Sequence, residues 1–224
     1  GHVLQCLDAL AFFNFKHAVA TLSLAAAALV PVAAFAAPIS IFNTGVNAAG
    51  VGLGGLALGG SDTHYTIGLS TAPIVVTNAA YVANNATSQW IWANNAQGNQ
   101  TYTFTTTFDL TGLNASTAVL NGLWGADNQG LDILLNGVST GDELMGVVVQ
   151  NFNQLHAFTL DSGFVAGLNT LSFVIQNNGG PGAFRAQFVG TADLASSEVP
   201  EPGTLALVAV ALLAAGALRR RNAI

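Results

Sequence analysis

Gln100 to Leu110 reads Gln-Thr-Tyr-Thr-Phe-Thr-Thr-Thr-Phe-Asp-Leu, and it alternates. Thr101, Thr103, Thr105 and Thr107 point one way, while Tyr102, Phe104, Phe108 and Leu110 point the other, with Thr106 as the exception. Successive side chains on a pleated strand face opposite sides, so this stretch is a strand with one buried face. Short apolar runs follow at turn-separated intervals: 118–126, 131–135, 147–149, 157–160, 171–176 and 184–193. Asn136-Gly137 marks a tight hairpin, because both residue types tolerate the positive φ of a type I′ turn. Residues 177–182, Asn-Asn-Gly-Gly-Pro-Gly, read as a longer loop before the last strand. No fixed-period repeat is visible, which argues against a solenoid or propeller. The pattern predicts an all-β fold: a single antiparallel β-sandwich of the jelly-roll kind.

Outward from that strand the composition changes. Of 224 residues, 51% are hydrophobic and 7% charged, with 5 Lys+Arg, 11 Asp+Glu and a formal net charge of −6. So apolar a chain does not suit disorder, and so few cations do not suit nucleic acid. Lys16 and Arg219–Arg221 flank alanine-leucine-rich ends, whereas Arg185 is the one cation between them. From residue 37 to 201 that arginine faces ten acids, about nine net negative charges. Such a domain resists acidic polymers but is compatible with a neutral polysaccharide, or with an acidic matrix bridged by divalent cations.

At the N-terminal side, Lys16-His17 precedes the apolar run 18–32, then Ala34-Phe35-Ala36. A basic residue, a short apolar segment and small residues at −3 and −1 form a secretory signal, with cleavage expected after Ala36 by signal peptidase. Residues 1–36 are thus an upstream extension plus a signal helix, and residues 37–196 are the sandwich. The single cysteine, Cys6, falls in the removed part, so the mature domain is expected to carry no disulfide. Residues 43–60, rich in Gly and Ala, fit either a linker or a loop packed on the domain; the packed loop is the favoured reading.

Residues 197–224 form the other end. Val199-Pro200-Glu201-Pro202-Gly203 leads into the uncharged run 204–218 and then Arg219-Arg220-Arg221. As a helix, 15 residues span about 22 Å, short of a hydrocarbon core of about 30 Å. The one-sided arginines nevertheless favour a transmembrane helix over 204–218 with the domain outside. Pro200, Glu201 and Pro202, the apolar helix and Arg219, Arg220 and Arg221 together resemble the PEP-CTERM sorting signal of exopolysaccharide-producing Gram-negative bacteria. The resemblance implies recognition by an exosortase-type membrane protease and removal of the tail near that tripeptide. A permanent tail anchor is the alternative.

A second resemblance spans the middle. Asn43-Thr44-Gly45-Val46, Asp62-Thr63-His64-Tyr65, Trp90-Ile91-Trp92, Trp124-Gly125-Ala126-Asp127-Asn128, Asp132 to Gly137 and Gly163 to Leu171 occur in this order. That series is similar to the domain often carried by PEP-CTERM proteins, and to galactose-binding-like jelly rolls appended to glycosidases. The resemblance implies a fold, and leaves glycan binding, calcium binding and a spacer role open.

Among the residues themselves, Tyr65, Tyr81, Trp90, Trp92 and Trp124 are the candidates for stacking on sugar rings, with Asp127, Asn128 and Arg185 as hydrogen-bonding partners. Trp90 and Trp92, two apart on one strand, are expected to face the same side. Core filling is the commoner use of aromatics. Asp127, Asn128 and Asp132 offer oxygens for a structural calcium ion, without EF-hand spacing, and equally suit turns that bond their own backbone. No other cofactor is expected.

Catalysis has little support. His64 and His156 are the histidines of the middle region, with no Gly-x-Ser-x-Gly or His-Glu-x-x-His motif. Gly50-Val51-Gly52-Leu53-Gly54-Gly55 lacks the Lys-Ser/Thr of a phosphate loop. His64 is expected to bond structurally near Asp62, and Asp142-Glu143 to be a solvated pair. The threonine row offers a single row of hydroxyls, as a solvent-facing strand does. The expectation is an exported, exosortase-sorted, non-catalytic surface or matrix protein, anchored in the inner membrane before processing and associated with extracellular polysaccharide. A structural spacer without ligand is the rival, and a secreted hydrolase a distant third.

Overall fold

The computed structural model describes residues 35–94, 97–196 and 211–212. Eleven strands and two short helical turns follow in chain order: β1 (Ala36–Pro38), β2 (Thr66–Ile67), β3 (Ile74–Val75), β4 (Ile91–Trp92), β5 (Gln97–Asp109), a 3-10 turn (Ala115–Thr117), β6 (Val119–Asp127), β7 (Gln129–Leu135), β8 (Val138–Ser139), α1 (Val148–Asn153), β9 (His156–Leu160), β10 (Leu168–Pro181) and β11 (Ala183–Asp193). One sheet has the order β3-β4-β11-β6-β9, with β1 also pairing with β11; the other runs β2-β5-β10-β7-β8. Every strand pairing within both sheets is antiparallel. This is the expected all-β sandwich.

The alternation in β5 works as the sequence predicts. Phe104, Thr106 and Phe108 face the core, as does Leu110 just beyond the strand, while Thr101 and Thr107 are exposed. Between the sheets Phe104, Phe173 and Ile133 meet Phe184, Trp124 and Leu120. The rings interlock, with centroids 4.7 Å apart for Phe173–Phe184 and 5.0 Å for Phe104–Phe184. Burying such side chains stabilises by about 1.5–3 kcal/mol each, the term that must hold an all-β domain of this size.

Asn136 and Gly137, at φ 53° and 79°, turn β7 into β8 with Leu135 opposite Val138. The expected loop over 177–182 is instead a continuation of β10: Asn178 pairs with Asn99 and Pro181 with Gln97 across a bulge, and Gly179 and Gly180 supply positive φ. The strand expected at 147–149 is part of the α1 turn. Its β-branched valines prefer a strand, yet Val147 and Val149 are exposed and gain nothing from one. A helical turn lets buried Asn151 reach two carbonyls, Asn128 O at 2.8 Å and Leu144 O at 3.0 Å.

The glycine-rich segment 43–60 is packed, as favoured. Thr44 and Val46 are buried, and Thr44 Oγ1 donates to Gln89 O (2.8 Å) while accepting from Ala186 N (3.0 Å). A second, smaller core of Tyr81, Trp90 and Ala183 is joined by Val82, Phe152 and Leu155.

Candidate functional site

The residues read as a sugar platform are interior. Trp90, Trp92 and Trp124 expose 0%, 3% and 1% of their surface; Tyr65 and Tyr81 are buried too. Each tryptophan ring lies over a glycine with no room for a Cβ. One built on Gly125 falls 2.7 Å from Trp90, one on Gly182 falls 2.3 Å from Trp92, and one on Gly130 falls 2.4 Å from Trp124. The rings are therefore keyed into the sandwich, and none offers a face to a sugar. Nor do Trp90 and Trp92 share a side: Trp90 sits in the second core, and Trp92 in the main one against Tyr102 and Phe104. The period of two needs a continuous strand, and β4 is two residues long, with Trp90 preceding it.

Arg185 is 1% exposed. Its Nε donates to Ser88 Oγ (2.8 Å) and its Nη1 to Ala83 O (2.7 Å), so it clamps the 82–88 loop onto β11. Burial lowers its pKa to about 10. Asp127 Oδ2 accepts from Tyr81 Oη at 2.7 Å. Burial raises the carboxyl's pKa, partly opposed by that bond, and burial and the bond also raise the tyrosine's. Asn128 donates its N–H to Gln176 O, accepts on its own carbonyl from Asn151, and accepts on Oδ1 from Asn178 N at 2.6 Å. Asp132 belongs to β7, with one carboxylate oxygen buried and unpartnered among the described residues. The oxygens of Asp127 and Asn128 expected around calcium thus bond protein donors. Among the described residues no group of three or more His, Cys, Asp or Glu side chains gathers to hold a metal.

Both histidines of the domain are engaged. His64 Nδ1 lies 3.2 Å from Asp62 Oδ1, and its ring stacks on Phe42 at 3.8 Å. Asp62 is fully buried and also accepts from Gly45 N (2.6 Å) and His64 N (3.0 Å). Burial raises its pKa against the pull of those donors. Tyr65 Oη donates to Phe42 O, closing the same corner. His156 Nε2 meets Gln150 O at 2.8 Å. Each histidine thus has one ring nitrogen in a bond that fixes the imidazole against the fold.

A shallow cleft of about 260 Å³ brings Asp142 and Asp161 together with Ser139, Thr140, Thr159 and Ser162. Asp142 accepts there from Thr140 Oγ1 at 3.0 Å. Two carboxylates in one cleft are the minimum for glycoside hydrolysis.

Sequence reasoning passed over the polar residues that organise the loops. Asn169 is fully buried and makes four bonds: to Val165 O, to Gly167 O, from Val165 N and from Asn136 Nδ2. It ties the turn before β10 to the Asn136-Gly137 hairpin. Gln89 similarly donates to Gly45 O and Leu56 O, fastening the glycine-rich segment. The available signal for Asn169 was its place in Gly167-x-Asn169-x-Leu171 beside an apolar strand.

The described domain is therefore a β-sandwich with an aromatic interior, and its class is decided at the chain's other end. Residues 198–221 match the PEP-CTERM protein-sorting motif. The chain is accordingly an exported, surface-sorted protein processed by an exosortase membrane protease. Pro200, Glu201, Pro202 and Arg219–Arg221 fall within the match, and they and Ala34 lie outside the described residues. Among the described residues no helix is long and apolar enough to cross a membrane; of 204–218 only 211–212 are described. No curated protein matches the chain. A solved carbohydrate-binding module, CBM35 from Paenibacillus barcinonensis, is similar at 16% identity and TM-score 0.34, covering 61% of this chain and 96% of that one.

Proposed function

We propose that this is a non-catalytic display domain. It is exported with a cleaved signal, held in the inner membrane by its tail, and passed by the exosortase to the cell surface or an exopolysaccharide matrix, where it contributes mass and spacing. The burial of all three tryptophans carries this reading over tryptophan-based glycan capture. Aromatic stacking needs an open ring face, and these rings are closed by Gly125, Gly182 and Gly130. Arg185 and Asp127, the proposed hydrogen-bonding partners, are likewise committed to Ser88, Ala83 and Tyr81.

A matrix-associated reading keeps one observation in its favour. Thr107 pairs with Thr170 and Thr105 with Ser172, while Thr66 flanks Thr105 on the other side. The threonine row is thus one of several hydroxyl-bearing strands on one face of the sheet, bordered by Asp109 and Asp132. Neutral and acidic glycan arrays probed with the full chain, with and without calcium, separate the two. The display reading expects silence throughout; saturable binding to any glycan overturns it in favour of matrix association.

A further inference from the structure

A glycine after an asparagine leaves its backbone nitrogen unhindered, because no Cβ shields that nitrogen from the neighbouring carboxamide. The chain holds three such pairs, Asn121-Gly122, Asn136-Gly137 and Asn178-Gly179, and the fold treats them differently. Asn121-Gly122 lies within β6, laddered between β11 and β9, and Asn121 Oδ1 accepts from Thr159 Oγ1 at 2.9 Å. Gly122 is buried, and a Cβ there would fall 2.2 Å from the Phe158 ring, so this backbone has no room to swing. At Asn136 the carboxamide itself is held. Its Oδ1 accepts from Thr170 N at 2.9 Å, and its Nδ2 donates to Gly163 O and to Asn169 Oδ1, both at 2.9 Å. Asn178 is exposed, and its carboxamide has no hydrogen-bond partner among the described residues. Gly179 N is held by one long bond, 3.4 Å to Asn177 Oδ1. The peptide between them sits in the β10 bulge, where register shifts between Asn178 and Pro181 and Gly179 and Gly180 take φ of 124° and 72°.

We propose that Asn178-Gly179 is a self-modification site, where the chain turns its own amide into an acid. Gly179 N gives up its proton to solvent and attacks Asn178 Cγ. The new C–N bond closes a succinimide ring, and the carboxamide nitrogen takes up a proton and leaves as ammonia. Water then adds to one of the two ring carbonyls and breaks the bond from that carbon to the ring nitrogen. Opening at Cγ gives aspartate; opening at the backbone carbonyl gives isoaspartate, in which the main chain runs through the former side chain. Water is the sole co-reactant, and nothing is oxidised or reduced. Either product adds a negative charge to a region that already carries about nine net. Isoaspartate also lengthens the main chain where the end of β10 is pinned. There Asn178 N donates to Asn128 Oδ1 at 2.6 Å and Asn178 pairs with Asn99 of β5, with only Pro181 opposite Gln97 beyond. The ring core at Phe104, Phe173 and Phe184 lies further along the sheet and keeps the domain folded. The reaction therefore frees the end of β10 from β5 and from Asn128, progressively with time after folding.

The full chain, purified in detergent, is held at neutral pH and sampled over weeks. Chymotryptic peptides are weighed to follow each asparagine, and isoaspartate is identified by electron-transfer fragmentation. In the folded chain Asn178 should convert at least an order of magnitude faster than Asn121 or Asn136, whereas in urea the three rates should converge. Equal rates in the folded chain, or earlier conversion at Asn121 or Asn136, overturn the proposal. So does a spread that persists in urea, because neighbouring sequence and not the fold would then set the order. Hydrogen exchange on aged wild type should show the amides of 97–100 and 177–180 losing protection. Asn178→Gln would need a larger ring to cyclise, so it should age without that loss. Aged wild type that exchanges like fresh protein, or a variant that loosens equally, overturns the claim that the reaction opens this end of the sandwich.

Discussion

A tryptophan over a glycine is a packing statement that one substitution can test. Gly130 and Trp124 are the clearest case, because the missing Cβ would lie 2.4 Å from the indole ring in the centre of the main core. Gly130→Ala should cost about 1–3 kcal/mol by overpacking, whereas Trp124→Ala should cost about 3–5 kcal/mol by opening a cavity. Urea denaturation of the two variants checks both. A Trp124→Ala change that left the midpoint unmoved would mean that the ring is not a core element. Asp127 makes a second residue-scale prediction. Its folded pKa is raised by burial, so in the window above the ordinary 3.8 the native state holds more proton than the unfolded one. Stability then falls as pH rises through that window, because the slope follows the protons bound by the unfolded state minus those bound by the native. Asp62 is raised in the same direction and adds to the trend. Asp127→Asn keeps an acceptor for Tyr81 Oη but removes the charge, so thermal melts between pH 4 and 7 should slope less steeply for the variant. A slope identical to wild type would show that Asp127 is not a source of it.

At the scale of elements, the turn before β10 depends on Asn169, whose four bonds leave no side-chain polar atom idle. Asn169→Ala removes the partner of Val165 N, Val165 O and Gly167 O in a half-buried corner, at a cost of about 1 kcal/mol. Hydrogen exchange should show the amides of 163–168 and of the Asn136-Gly137 turn losing protection together; loss in one alone would break the proposed tie. What was legible in the chain follows the same division. β5 could be read because its alternation has one solvent-facing and one core-facing row, and the Asn136-Gly137 turn because positive φ is open to few residue types. The α1 turn could not, since its position is decided by Asn151 reaching carbonyls 7 and 23 residues away. The sequence leaves the tryptophans open between sugar stacking and core filling for a related reason. Exposure of an indole depends on whether a glycine sits opposite on a neighbouring strand, and in the sequence Gly125 looks like any residue of its apolar run while Gly130 and Gly182 look like turn residues. The loop staples of Arg185 and Gln89 were hidden likewise, because their partners lie dozens of residues away in segments without periodicity.

At the scale of the whole molecule, the proposed membrane-held precursor can be tested through charge placement. The region from residue 37 to 201 carries about nine net negative charges and is repelled by an anionic membrane face, so on that proposal retention before processing falls to the tail. An apolar run of 15 residues is short for a bilayer core, which makes the flanking arginines matter more than they would beside a longer span. Each basic residue near an anionic leaflet contributes about 1 kcal/mol, so Arg219, Arg220 and Arg221 together supply about 3 kcal/mol, roughly a hundred-fold in partitioning. Arg219–Arg221→Ala should therefore shift the precursor from the membrane to the soluble fraction, and high salt should partly mimic the change by screening. The measurement belongs in cells lacking the sorting protease, where processing does not deplete the precursor. Pro200, Glu201 and Pro202 changed to Ala provide the comparison, because that variant keeps the membrane contact and should fractionate like wild type while its tail persists once the protease is restored. If the triple-arginine variant stays in the membrane fraction at both low and high salt, the apolar run is holding the chain unaided. The arginines would then serve protease recognition or orientation instead of retention.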